Sequence, residues 1–327
     1  MIIEDFRGFS GQHCETTATG ALLSHAGLPL SEPMVFGLGQ GLGYGVFVFK
    51  AAPAPFIAGR SKPEAVTTTL AANLGLQLDL RQTRSAKKAW SNVATFVDAG
   101  QPVAVKVDMH FLDYFDLDQH FAGHYVTVYG YDDDVVHVVD TQDRMTTTGR
   151  HSFEEGRRWR GPMASNALTW TIAAVPVAVD WPPVFERAIG ETARAYLSPP
   201  IANFGASGIR KTAKLVVTWL DTIDDPSTQL PHLAMLMESG GTGGGLFRSM
   251  YAAFLDEAHT TLGDPVVEEA AGLYRQASRL WTDVSEHLAA APNDGVSRLT
   301  EAAEVLNAVA EIEHQAASVL SCRFSSA

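Results

Sequence analysis

His120–Thr141, HFAGHYVTVYGYDDDVVHVVDT, reads as a two-stranded antiparallel hairpin with a polar group at each open end. Tyr125–Tyr131 is β-branched and aromatic, Asp132–Asp134 supply turn residues, and Val135–Val139 resumes the strand pattern. A turn centred on Asp132 sets His124 across from Asp140, and directly paired side chains sit roughly 4.5–5.5 Å apart at Cβ. An imidazole then meets a carboxylate. The side-chain period of a strand is two, so a register slip of one residue would send the pair to opposite faces.

Such a pair lacks only a nucleophile, and Cys14 in GQHCETTATGALLSHAGLP is the candidate. Thr16–His25 reads as a helix carrying Ala18, Ala21, Leu22 and Leu23, with Gly27 as its C-cap signal and Pro29 beyond. Cys14 therefore falls at or just before the helix N-terminus, where the helix dipole and a nearby imidazolium favour the reactive thiolate. The bland alternative is an inert, buried thiol. Gln12 and His13 beside it tilt the reading toward a site.

The run QHCETTATGALLSHAGLPLSEPMVFGLGQGLGY, then GRS, then AGQPVAVKVDMHFLDYF, then HFAGHYVTVYGYDDD with VVDT resembles the N-terminal domain of the butirosin biosynthesis protein H family. The later run GGGLFRSMYAAFLDEA resembles the helical domain that commonly follows it. The resemblance implies an α+β chain: a papain-like cysteine domain with an antiparallel sheet, then an all-α domain. It further implies acyl transfer from a carrier-protein thioester to the amine of a small molecule, with Cys14, His124 and Asp140 at the triad positions. Phosphopantetheine then arrives on the acyl carrier protein, and no resident cofactor is implied. A thioesterase, a peptidase, or a condensing or cyclising enzyme using the same triad is the alternative.

For the oxyanion, the backbone N–H of Cys14 and the Gln12 side chain are the available donors. Papain-like enzymes generally place this glutamine several residues before the cysteine, whereas here it is two away, so His13 or a backbone amide is an alternative donor.

The chain's 327 residues allow two domains with sizeable cores. Its two cysteines, Cys14 and Cys322, lie far apart without metal spacing, which argues for a reducing compartment. MIIEDFRGFSGQHC has no apolar core of a signal peptide, and no apolar run approaches the roughly 20 residues that span a membrane. The reading is cytoplasmic. A formal net charge of −13 argues against general nucleic-acid affinity.

In LSEPMVFGLGQGLGYGVFVF, glycines alternate with larger residues, but the spacing gives neither a dinucleotide fingerprint nor a P-loop. Gly39, Gly41, Gly43 and Tyr44 are read either as a wall of the acyl channel or as a tightly packed loop and strand. Glu32 before them either orients the site or caps a turn. The stretch DMHFLDYFDLDQHFAGH is dense in Asp and His. A metal site is disfavoured there, because the HExxH glutamate is absent and Gly123 argues against a helix holding His120 and His124. These acidic residues read as a solvated loop over the site, with Asp108 supporting it from a strand end. RRWR at Arg157–Arg160 is the most basic cluster and the candidate dock for an acidic carrier, against scattered surface arginines.

Helices are read at Lys62–Gly75 and Ala86–Ala99, and a closing strand in LTWTIAAVPV. The prolines of VDWPP set a boundary, giving a catalytic domain at 1–180 and a helical domain at 181–327. The latter reads as Val184–Leu197, Gly208–Ile223, Pro231–Glu238, Leu246–Leu262, Val266–Ala290 and Ser297–Leu320, with apolar residues recurring at three and four. The SGGTGGG loop is read as an anion cradle or a connector. Arg248 and Tyr251 are read as facing the cleft or as packing. The helical domain is expected to cover the Cys14 cleft, nearest at Ser239–Phe247, or alternatively to make a homodimer.

Overall fold

The computed structural model describes residues 1–50, 52–240 and 243–324, with the backbone only for Asp143. Along the chain run α1 (Cys14–His25), α2 (Glu32–Leu38), β1 (Leu42–Phe47), β2 (Phe56–Arg60), α3 (Ala65–Leu74), β3 (Gln77–Arg81), α4 (Ala86–Asp98), β4 (Val103–Val107), β5 (His124–Tyr131), β6 (Val135–Asp140), β7 (Arg144–Gly149), α5 (Arg150–Arg158) and β8 (Thr169–Ala174). Then come α6 (Trp181–Leu197), α7 (Gly205–Val216), α8 (Trp219–Thr222), α9 (Pro226–Glu238), α10 (Gly245–Leu262), α11 (Pro265–Asp294) and α12 (Val296–Arg323). The chain is thus α+β, with antiparallel sheet in the N-terminal half and helices alone after Val179. None of the described helices is long and apolar enough to cross a membrane.

Two compact units result, one of Met1–Val35 with Val66–Val179, the other of Phe36–Ala65 with the chain from Asp180 onward. The break at Val179 coincides with the VDWPP boundary. The Phe36–Ala65 segment, however, groups with the helices and not with the sheet that surrounds it in sequence.

The first unit is built on one six-stranded sheet in the order β3-β8-β4-β5-β6-β7. Val103, Val105, Val126, Val128, Val136 and Val138 supply its core together with Phe96 of α4 and Phe153 of α5. Two elements, β7 and α5, escaped the periodicity reading for the same reason. Edge strand β7, RMTTTG, has no apolar alternation, and α5, RHSFEEGRR, carries a single large apolar residue, Phe153.

The β5–β6 register differs from the direct His124–Asp140 opposition that a turn at Asp132 gives. Next to the turn the ladder pairs Tyr131 with Val136 and Gly130 with His137, and then it shifts, so that Val128 meets Val138 and Thr127 meets Val139. Tyr129 is the extra residue of a β-bulge. Without it, the ladder nearest the turn would carry on and place His124 and Asp140 on opposite faces. With it, the two become same-face neighbours one diagonal step apart. The bulge is held from outside: Ile3 N donates to Tyr129 O at 3.0 Å, and Ile2 bridges to Gly130, where a Cβ would press on the backbone of Ile2.

In the second unit, β1 and β2 form a two-stranded hairpin. The alternating glycines let it lie flush against helices: a Cβ at Gly37 would overlap the Phe254 ring, one at Gly41 the Phe36 ring, and one at Gly45 the Phe204 ring. Tyr44 is buried, stacks on Trp281 at 5.5 Å and bonds Thr212 Oγ1 at 2.6 Å. The centre of the unit is an ion pair excluded from water. Arg248 Nε and Nη2 donate to the two Glu313 oxygens at 2.7 and 2.8 Å, and Nη1 donates to Gly59 O at 2.9 Å. Trp281 Nε1 donates to Glu313 at 2.8 Å and the Tyr196 hydroxyl donates to its other oxygen. α9 starts at Pro226, so Pro231 lies inside it, while the stretch read as one helix to Ile223 stops at Val216 and resumes as α8.

Breaking a buried, hydrogen-bonded ion pair by removing one partner costs about 3–5 kcal/mol, because the survivor keeps its desolvation cost. Arg248→Met is therefore expected to lower the unfolding free energy of the helical unit, measured by urea denaturation, by that order, and Arg248→Met with Glu313→Leu to recover much of it. A double variant no more stable than the single one would contradict this account.

Candidate active site

Cys14 is the first residue of α1, whose first turn closes through Thr17 N to His13 O at 2.8 Å. The helix begins here because the orphan N–H groups ahead of it find an acceptor in Glu32. Gln12 N donates to both Glu32 oxygens at 2.9 Å, His13 N donates to Oε1 at 2.9 Å, and Thr16 Oγ1 donates to Oε1 at 2.7 Å. Glu32 is only 8% exposed and opens α2, with Pro33 fixing its first turn. Gly11 lies so close to this carboxylate that a Cβ would stand 3.0 Å from Oε1.

This arrangement corrects part of the oxyanion reading. The backbone N–H groups of Gln12 and His13 are engaged by Glu32, and the His13 ring is buried with Nδ1 3.3 Å from Thr16 Oγ1. Among the described residues none accepts from the Cys14 N–H, and the Gln12 side chain is exposed. Those two donors stay available.

His124 enters the site from the first position of β5, beside Val107 of β4. Its Nε2 lies 2.8 and 3.0 Å from the two oxygens of Asp140, the last residue of β6. A carboxylate only accepts, so Nε2 carries the proton and Nδ1 is left for the thiol, with which the ring makes a side-chain hydrogen bond. Burial disfavours the imidazolium, but the charge and hydrogen bond of Asp140, together with Cys14, outweigh it and lift His124 to about 10. Burial likewise works against the Asp140 carboxylate; His124, the Thr141 N–H at 2.6 Å and the Tyr114 hydroxyl at 2.8 Å overcome it and hold the group below its ordinary range. Burial first, and then Asp140, push Tyr114 up, so it stays a donor.

Tyr114, which periodicity did not single out, is thus a fourth member of the array, and Phe115 stands edge-on to the imidazole at 5.8 Å. Both come from the stretch read as a solvated acidic loop; the aromatic pair inside it was the available signal. The turn before Cys14 and the hairpin are tied directly, since Gln142 N donates to Gly11 O at 2.7 Å. Gln142 takes a left-handed φ of 60° to do so.

Asp108 is fully buried and ordered by three donors: His110 N at 3.1 Å, Phe121 N at 2.8 Å and His120 Nδ1 at 2.7 Å. It shapes the 108–121 loop and has no surface left for a substrate. His120 and His124 serve different carboxylates and do not converge. The arginine cluster also reads differently in three dimensions. Arg157 is buried and donates to Ala89 O at 3.1 Å and Ala167 O at 3.0 Å, Arg158 pairs with Glu155, and Arg160 donates to Trp159 O at 2.9 Å.

Several expected substrate contacts are corrected by burial. Gly41, Gly43 and Tyr44 belong to the β1–β2 hairpin with its space filled by Phe36, the Arg60 backbone and Trp281, and Gly39 is buried in the turn after α2. Arg248 and Tyr251 are fully buried, the former with its guanidinium committed to Glu313 and Gly59. Of SGGTGGG, Gly241 and Thr242 lie outside the described residues, while Gly244 and Gly245 pack on Trp281 and Glu238.

The raised His124 makes the pH dependence specific. Its contribution to stability is present in full below the ordinary imidazole value near 6.5 and fades as pH rises through about 10. In Asp140→Asn the main raising influence is gone, so the alkaline limb of the Cys14 alkylation profile is expected to move toward neutral pH. Tyr114→Phe should move it far less. Superimposable profiles in wild type and Asp140→Asn would refute the coupling.

Compared with known families, residues 13–141 match the N-terminal domain of butirosin biosynthesis protein H, and residues 151–320 match a domain of unknown function, DUF4872. No curated protein matches the chain. The paired domains, in this order and over most of the length, make the chain a member of the butirosin biosynthesis protein H family, the kind of enzyme associated with antibiotic biosynthesis.

Proposed function

We propose that the protein is a cysteine acyltransferase that moves an acyl group from a carrier-protein thioester, through Cys14, to the amine of a small molecule. The observation that carries this reading is the continuous array from Tyr114 through Asp140 and His124 to a partly exposed Cys14 at a helix start. A base oriented by a carboxylate and bonded to a nucleophile is the arrangement covalent acyl transfer requires. Family membership supports a biosynthetic role.

In the first half-reaction Cys14 sulfur, its proton held by His124 Nδ1, attacks the thioester carbonyl carbon. The oxyanion that forms lies toward the Cys14 N–H and the Gln12 side chain, and positive charge at the helix N-terminus favours it. Collapse breaks the bond to the carrier sulfur, which leaves with the His124 proton as a free thiol. An amine then attacks the acyl-enzyme and gives up its proton to His124, and the amide forms as Cys14 is expelled and reprotonated. Asp140 fixes the ring tautomer throughout, and Tyr114 and Thr141 hold Asp140. These steps use no resident cofactor; phosphopantetheine stays with the donor.

Intact-mass measurement with a panel of carrier-bound thioesters tests the proposal. Wild type should gain one acyl mass that an amine removes faster than water does, and Cys14→Ala should gain none. Asp140→Asn should acylate slower by roughly two to four orders of magnitude. Discharge at one rate with or without amine would favour the thioesterase alternative, and equal turnover in Cys14→Ala would exclude covalent catalysis.

A further inference from the structure

The sheet face that carries His124 and Asp140 also carries a cation that the mechanism does not use. Arg144 opens β7 directly opposite Asp140 in the β6–β7 register. Directly opposed residues share a face, so Arg144 projects on the triad's side. It does not pair with Asp140, whose two oxygens are taken by His124, Tyr114 and the Thr141 N–H. Instead the exposed guanidinium lies over two rings, 5.5 Å from the Phe115 centroid and 5.9 Å from that of Tyr114. Phe115 is the ring that stands 5.8 Å from the imidazole, so one aromatic side chain separates Arg144 from His124. Among the described side chains Arg144 makes no hydrogen bond or ion pair, in a chain of net charge −13.

We infer that Arg144 is a specificity determinant that binds a carboxylate on the acyl group delivered to Cys14, which rests on the acyl-transfer reading above. A guanidinium offers a carboxylate two parallel donors, and Arg144 lies over Phe115 and Tyr114 while remaining exposed. The acyl half of the reaction is the partner that fits. An amine acceptor approaches in equilibrium with its ammonium form, which Arg144 repels, whereas an anionic acyl group gains from the same charge. The pantetheine phosphate is excluded by reach, since it lies a whole extended arm beyond the thioester sulfur while Arg144 is one ring from the imidazole.

Two iodoacetyl reagents that alkylate Cys14, one ending in the carboxylate of β-alanine and one in its carboxamide, isolate the effect from acyl transfer. The rate ratio, charged over neutral, is expected near tenfold in wild type. It should fall to about one in Arg144→Gln, drop below one in Arg144→Glu and be largely restored in Arg144→Lys. A ratio near one in wild type, or a high ratio that survives Arg144→Gln, overturns the inference. The parallel thioester pair, carboxylate-bearing and amide-bearing, measured as the acyl adduct, should show the same ordering. If no thioester acylates wild type while the alkylation ratio behaves as stated, the acyl-transfer reading fails, the acyl group is overturned as the ligand, and what survives is carboxylate binding by Arg144 beside Cys14.

Discussion

The parity of one β-ladder governs this molecule's chemistry. A strand presents its side chains alternately to two faces, so the His124 imidazole and the Asp140 carboxylate meet only if the residues between them have the right parity. The observed turn, which pairs Tyr131 with Val136, alone sets the wrong parity, and the bulge at Tyr129 restores the right one. The bulged carbonyl would lack a ladder partner, and Ile3 supplies it. A segment more than 100 residues away in sequence thus takes part in placing the imidazole beside the carboxylate.

Around that pairing, buried charge is satisfied by design of contact and not by exposure. Asp140 receives three partners, Glu32 collects two backbone N–H groups and a hydroxyl, and Asp108 collects two N–H groups and an imidazole. A carboxylate left bare inside a protein costs several kcal/mol, so each of these sites fixes the loop that supplies its donors. The Glu32 cluster fixes the turn before Cys14, the Asp108 cluster the loop that ends in His124, and the Gln142–Gly11 bond joins the two. The helical unit applies the same rule at Arg248 and Glu313, with each of the three guanidinium nitrogens bonded to an acceptor. Against that background Arg144, which bonds to none of the described side chains, is the group to which we assign an external carboxylate.

The sequence by itself determined the central hairpin, the helical character of the second half and the three residues Cys14, His124 and Asp140 of the candidate site. The period of two through Tyr125–Val139 required a hairpin, the period near 3.6 beyond Asp180 required helices, and Cys14, His124 and Asp140 fell at element ends where side chains emerge from a backbone that must stop pairing. These are local properties, set by residues a few positions apart, and they are legible without a fold. The hairpin's register was not, because a bulge is stabilised by a partner from elsewhere in the chain. Nor was the fate of the glycine strip, of Arg248 or of Arg157, since a residue's burial depends on what packs over it: Gly59 and Arg248 are 189 residues apart. Tyr114 and Glu32 acquired their partners only when tertiary contact brought donors and carboxylate oxygens together.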